Sequence, residues 1–227
     1  MKIAGFQKLT LLDYPSKVAC ILFTQGCNFK CPYCQNSGLI GHENEELIPE
    51  EEIFEYLKKR KGVLDGVVVS GGEPTVQKDL AIFIKKIKDM GFLVKLDTNG
   101  SNPSLLKKLI DEHLVDYIAM DIKNVLTLYK EVAAVSPNIS KLEESIDLIK
   151  NSGIDHEFRT TIIKNIHDIE KIKKICEYVD GDTLFLQNFE QSENVCDKNL
   201  ESFETDELKR INKIIKKEFP NVTVRRI

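Results

Sequence analysis

The chain has 227 residues, 42% of them hydrophobic and 30% charged, with a formal net charge of −4. That is enough chain for one substantial core, and the mild acidity leaves no basic footprint for nucleic acid. No run of about 18 apolar residues offers a membrane span, and Met1 to Lys8 lacks a signal-peptide core, so the sequence reads as cytoplasmic.

Short β-branched runs alternate with amphipathic stretches rich in Lys and Glu, the pattern of a parallel α/β sheet. The first strong strand is Val18 to Thr24. Pro49 to Lys61 reads as a helix, opened by Pro49 and stopped at Gly62. Gly66 to Ser70 is nearly all apolar, as expected of a strand buried on both faces. Asp79 to Met90 is a helix with Leu80, Phe83, Ile84 and Ile87 on one face. Leu93 to Asp97 is a strand and Pro103 to Glu112 a helix. Val115 to Asp121 is a strand, followed by helical segments at Leu126 to Val132 and Ile139 to Asn151. His156 to Ile163 and Thr183 to Phe189 are strands, His167 to Tyr178 and Thr205 to Glu218 helices, and Val222 to Arg225 a short closing strand. The count is about six βα units rather than eight. It implies an α/β fold in one domain over residues 1–227, a partial (β/α)6 TIM-like barrel with a parallel sheet, open at the side. A lateral opening suits an enzyme whose substrate is itself large.

Cys27, Cys31 and Cys34 form a C-x3-C-x2-C loop directly after the first strand. Three thiolates with no fourth cysteine nearby suit a metal centre that keeps one coordination position open. A closed structural zinc site wants four protein ligands, and a fully ligated 4Fe–4S electron carrier wants four thiolates. A disulfide framework wants an even number of cysteines in a short secreted chain.

The other unusual polar motifs fall at the C-terminal ends of strands, where barrel-like α/β folds carry their reactive face. Ser70 to Pro74 (SGGEP) follows the second strand, Asp97 to Gly100 (DTNG) the third and Asp121 to Lys123 (DIK) the fourth; Arg159 lies within the fifth, and Gln187 with Asn188 ends the sixth. Gly71 and Gly72 let backbone approach a bound group closely, and the Glu73 carboxylate can accept from an ammonium; the alternative is a tight turn with a solvated glutamate. Asp97 to Gly100 also reads as an ordinary strand-to-helix turn. Arg159 is either a structural ion pair or a bidentate clamp on a ligand carboxylate, and the clamp is the reading adopted. Cys20 and Cys176 read as small core residues, and Cys196 is isolated in a polar loop. His42, His113, His156 and His167 lack metal-ligand spacing and read as surface or capping residues.

The cysteine spacing, with the aromatic Tyr33 just before the third cysteine, resembles that of radical S-adenosylmethionine (SAM) enzymes. The resemblance implies that Cys27, Cys31 and Cys34 hold one 4Fe–4S cluster and that SAM occupies the fourth iron. Gly71-Gly72-Glu73 is similar to the GGE motif with which that family binds the methionine end of SAM. The DTNG segment resembles one in the branch that activates glycyl-radical enzymes, which implies that Asp97 and Thr98 help to bind SAM through a monovalent cation. Asp121 and Lys123 match the branch's D-x-K, implying Lys123 as a partner of the SAM carboxylate or of the glycyl-radical loop.

The runs GFQKLTLLDYP (5–15) and FTQGCNFKCPYCQN (23–36) resemble the short activating proteins of anaerobic ribonucleoside-triphosphate reductase, and the resemblance covers essentially the whole chain. Ser16 stands where that family usually has glycine, and Gln35 where it often has histidine. The implied chemistry is reductive cleavage of SAM to methionine and a 5′-deoxyadenosyl radical, which makes a glycyl radical on a partner enzyme in an anaerobic setting. A flavodoxin or ferredoxin is the implied electron donor. The alternatives are activation of another glycyl-radical enzyme of the pyruvate formate-lyase type, a small-molecule radical SAM reaction, a non-enzymatic iron–sulfur electron-transfer module and a zinc-binding protein.

Overall fold

The computed structural model describes residues 1–41 and 46–225. Eight strands lie side by side in chain order: β1 (Ile3–Thr10), β2 (Ala19–Thr24), β3 (Gly66–Gly71), β4 (Leu93–Thr98), β5 (Tyr117–Asp121), β6 (Asp155–Ile162), β7 (Leu184–Asn188) and β8 (Val222–Arg225). The helices are α1 (Glu50–Lys59), α2 (Leu80–Asp89), α3 (Pro103–Asp111), α4 (Tyr129–Ala133), α5 (Ile139–Lys150), α6 (Ile169–Tyr178) and α7 (Thr205–Glu218). From β2 to β8 every neighbouring pair is parallel. Among the described residues β1 and β8 do not pair, so the barrel stays open between them. Each strand from β2 to β7 is followed by a helix, which matches the expected count of βα units.

Two elements differ from the sequence reading. β1 is an additional strand, antiparallel to β2, with irregular register between Ile3 and Gly5 and between Gln7 and Thr10. Those irregularities erase the period of two that marks a strand. They also blunt an exposed edge: the Tyr56 hydroxyl donates to the Lys8 carbonyl (2.6 Å) and the Gln7 side chain to the Leu9 carbonyl (3.0 Å). The expected helix at Leu126 to Val132 is a 3-10 turn over Leu126–Leu128 that leads into the short α4.

The period of two along the strands sorts side chains into two layers. Cys20, Leu22, Val67, Val69, Val94, Leu96, Ile118 and Met120 are buried in the main core with the apolar faces of the helices. From α2 that core takes Leu80, Phe83, Ile84 and Ile87, at helical spacing. The alternate residues face the barrel interior. Low in the barrel these are Ala19, Ile21 and Val68, packed with Tyr14. Near the C-terminal ends of the strands they turn polar: Ser70, Asp97, Asp121, Arg159, Thr161 and Gln187 line one cavity. Caps fix where the helices begin beside that rim: the Asn102 side chain accepts from Leu105 N at the start of α3, and Asp168 from Lys171 N at the start of α6.

Candidate active site

The cysteine loop leaves β2 at Thr24 and is held by backbone hydrogen bonds to four other segments. Gly26 N donates to Leu39 O (2.6 Å), Gly26 O accepts from Glu73 N (2.8 Å), Lys30 N donates to Ala133 O (2.9 Å), and Pro32 O accepts from Asp197 N (3.1 Å). The last bond brings the loop carrying Cys196 against the cysteine motif, a neighbour that spacing along the chain does not disclose. Cys27, Cys31 and Cys34 are free thiols on the wall of a cavity of about 400 Å³. Burial pushes Cys27 up to about 12 and also raises Cys31 and Cys34. Their thiolates therefore need nearby positive charge.

Glu73 follows β3 and is 1% exposed. One carboxylate oxygen accepts from Thr75 N (3.0 Å), the Thr75 hydroxyl (2.5 Å) and the Thr98 hydroxyl (2.8 Å); among the described residues the other accepts Asn99 N alone (2.6 Å). No cationic side chain among the described residues pairs with it. Burial raises its pKa, and the Thr75 and Asn99 bonds offset part of that rise. A buried carboxylate with a free acceptor position and no counter-charge is suited to a cationic ligand. Gly71 and Gly72 have a packing reason as well: a Cβ at Gly71 would come within 2.2 Å of Thr24 N, and one at Gly72 within 2.1 Å of Gly26 O. The glycines let β3 and the cysteine loop meet backbone to backbone.

Across the cavity lies a charged chain. Asp97 meets Lys95 Nζ (2.5 Å), the Ser70 hydroxyl (3.0 Å) and Arg159 Nη1 (3.3 Å). Asp121 accepts Arg159 Nε (2.9 Å) and stands 3.6 Å from Lys123 Nζ. Arg159 thus pairs through Nε with Asp121 and through Nη1 with Asp97, and Nη1 also stands 4.0 Å from Glu157; this is the ion pair that its sequence surroundings allowed beside the clamp. Burial opposes ionisation of Asp97 and Asp121, but Arg159, with Lys95 or Lys123, outweighs it and holds both carboxyls below their usual range.

Lys123 lies over the Tyr33 ring, 5.9 Å from its centroid, and burial of its charge is outweighed by surroundings that include Asp121, so it stays protonated. Its backbone is fixed from two sides: its N–H donates to Tyr129 (3.1 Å), and its carbonyl is 3.2 Å from His167 Nε2. His167 is fully buried, not a surface or capping residue. Its Nδ1 accepts Ile163 N (3.0 Å), so Nε2 carries the proton and donates to Lys123 O. His156 bonds Asp182, and Cys20 and Cys176 are core residues as expected; His42 lies outside the described residues. Asn188 bonds Phe203 on both sides of its amide, away from the cavity, whereas Gln187 lines it. Ser70, Lys95, Asn99, Thr161, Tyr129 and His167 belong to the site or its support without having been singled out as site residues in the sequence. For Lys95 and Thr161 the available signal was polar residues at alternate positions in otherwise buried strands.

The family model described as the Radical SAM superfamily matches residues 21–179. The chain belongs to that superfamily. It is 37% identical over 233 residues to a Methanocaldococcus jannaschii protein named as a glycyl-radical enzyme activating enzyme, covering 99% of this chain and 96% of that one. A second M. jannaschii protein of the same name is 34% identical over 164 residues, 70% of this chain and 61% of its own length. Among solved structures, Streptococcus suis SuiB bound to its precursor peptide SuiA superposes with a TM-score of 0.69 at 16% identity, over 91% of this chain and 48% of that one. That likeness shows the shared fold: an α/β partial barrel that does not close.

Membership makes the protein an enzyme and implies a 4Fe–4S cluster and SAM. The donor set fits. Three thiols along one cavity wall suit a larger group in which each sulfur meets a different iron. Beside them, the unpaired carboxylate of Glu73 suits the SAM ammonium, and Lys123 the SAM carboxylate. No helix among the described residues is long and apolar enough to cross a membrane.

Proposed function

We propose that the enzyme activates a glycyl-radical enzyme, taking a hydrogen atom from a backbone glycine of the partner, and that the partner is an anaerobic ribonucleoside-triphosphate reductase. The observation that carries this reading is the match along 99% of the chain to a protein named as such an activating enzyme. The N-terminal runs that resemble reductase-activating proteins support the choice of partner, and the barrel's open side suits a protein substrate.

In this reading Cys27, Cys31 and Cys34 hold the cluster, and Tyr33 packs beside it under Lys123. Gly71, Gly72 and Glu73 receive the methionine end of SAM, with the Glu73 carboxylate accepting from its ammonium. Lys123 meets the SAM carboxylate, while Asp97 and Thr98 shape the opposite wall and Arg159 fixes Asp97 against Asp121. When bound, the cluster and SAM supply the electron transfer and bond cleavage that generate a 5′-deoxyadenosyl radical. The chain's own part is to orient SAM, compensate charge and exclude water. A flavodoxin or ferredoxin supplies the electron.

The test is electron paramagnetic resonance on the anaerobically reconstituted enzyme with SAM, reductant and the candidate reductase. A glycyl doublet on the reductase with methionine formed is the expected result. Methionine without a doublet would move the assignment to another substrate, and neither would overturn it.

A further inference from the structure

The resemblance implies a monovalent cation between the Asp97–Thr98 pair and SAM, but the oxygens it would need are already engaged. One Asp97 oxygen meets the Lys95 ammonium at 2.5 Å; the other accepts from Ser70 and Arg159. Asp121 holds Arg159 through one oxygen and faces Lys123 through the other. The Thr98 hydroxyl donates to Glu73 (2.8 Å) and accepts from Gly100 N (3.1 Å). Lys95 is 1% exposed and its Nζ donates to Asp97, so water screens that contact little. Lys95, Arg159 and Lys123 thus already stand as counter-cations to these two carboxylates, and a further cation at the same oxygens would have to displace one of them.

We propose that Lys95 and Arg159 are built-in counter-cations of Asp97 and Asp121, so that SAM binds here without a monovalent metal cation. The inference rests on the SAM-binding reading of this site and sharpens it. Lys95 and Arg159 act as positioning residues through the two carboxylates. Lys123, whose contact with Asp121 is the longest of the set at 3.6 Å, is the cation left to meet a ligand carboxylate.

The experiment measures SAM affinity of the anaerobically reconstituted enzyme by equilibrium dialysis in sodium, potassium and tetramethylammonium chloride at one ionic strength. Affinities within about twofold of one another are expected, whereas a loss of roughly tenfold in tetramethylammonium, restored by sodium or potassium, would overturn the proposal. Lys95→Met should acquire that dependence; a folded Lys95→Met protein that binds SAM like the parent in every salt would also overturn it. The parent measurement needs no variant, so it decides even if Lys95→Met does not fold. A second readout needs no SAM: a cation bound only by the folded state raises the melting temperature. The cluster-free parent should melt alike in sodium, potassium and tetramethylammonium, and a specific rise in sodium or potassium would again overturn the proposal. If no SAM binds in any salt, it is the SAM-binding reading that fails, and the melting comparison still decides the cation.

Discussion

Gly72 touches the Gly26 carbonyl so closely that a Cβ in its place would lie 2.1 Å from that oxygen. The same contact is sealed by Glu73 N donating to Gly26 O. The end of β3 and the start of the cysteine loop are therefore one backbone junction. Gly72→Ala must push them apart, and a loss on the order of 3 kcal/mol in the cluster-free protein is expected from urea denaturation. Iron content after reconstitution should fall with it, because the displaced loop carries Cys27. Unchanged stability and full iron content would show that Gly72 serves the ligand alone.

Ser16 has φ 59°, in the left-handed region that favours glycine. It lies in the β1–β2 hairpin, where the reductase-activating proteins usually have glycine, so the departure noted in the sequence has a backbone meaning. Ser16→Gly should relieve about 1 kcal/mol of conformational cost. The gain should appear as a higher urea midpoint with no change in SAM affinity, since Ser16 does not line the cavity that the cysteines share. A lower midpoint would show that the serine side chain contributes more than the strain costs.

His167 predicts a pH dependence. Burial lowers its pKa to about 4 from the ordinary 6.5, against the bonds to Lys123 and Ile163. Between those values the unfolded chain binds a proton that the folded chain refuses, so stability is full above 6.5 and falls as pH drops towards 4. The loss across that window is on the order of 3 kcal/mol. His167→Gln offers an acceptor and a donor without titrating, and should flatten this part of the stability curve while retaining Lys123 in place. An equally steep curve in the variant would assign the pH dependence to other groups.

The sequence showed the parts that obey local rules. Buried strands such as Gly66–Gly71 read as apolar runs, amphipathic helices carry period and caps, and three cysteines crowd into one loop. Hence the six βα units and most of the cavity wall were legible. What stayed hidden depends on distance along the chain. Lys95 and Arg159 meet at Asp97 only because β4, β5 and β6 are neighbours, and the direction of the Arg159 fork cannot be read from its flanking residues. His167 looked like a helix opener because nothing local reveals that its ring reaches Lys123, 44 residues away. β1 escaped because its register breaks twice.

Arg159 joins two carboxylates, and that fixes what its removal should do. Among the described residues, Arg159→Met leaves Asp121 with Lys123 at 3.6 Å as its cation, and Asp97 with Lys95. Removing one partner of a buried ion pair leaves uncompensated charge, so a loss of roughly 2–4 kcal/mol is expected at neutral pH, the opening at the rim moderating it. Arg159→Lys should recover only part, since a single ammonium cannot span both acids. The pH sign follows from the carboxylates. Both are held below their usual range in the folded state, so the stability that Arg159 confers is present above the ordinary Asp range and disappears as pH falls through the depressed folded values. The gap between parent and Arg159→Met should therefore be widest near neutrality and close on acidification. Urea denaturation of the cluster-free proteins at both ends of that range measures it, and a gap that widens in acid would mean that Arg159 stabilises the barrel by packing rather than by charge.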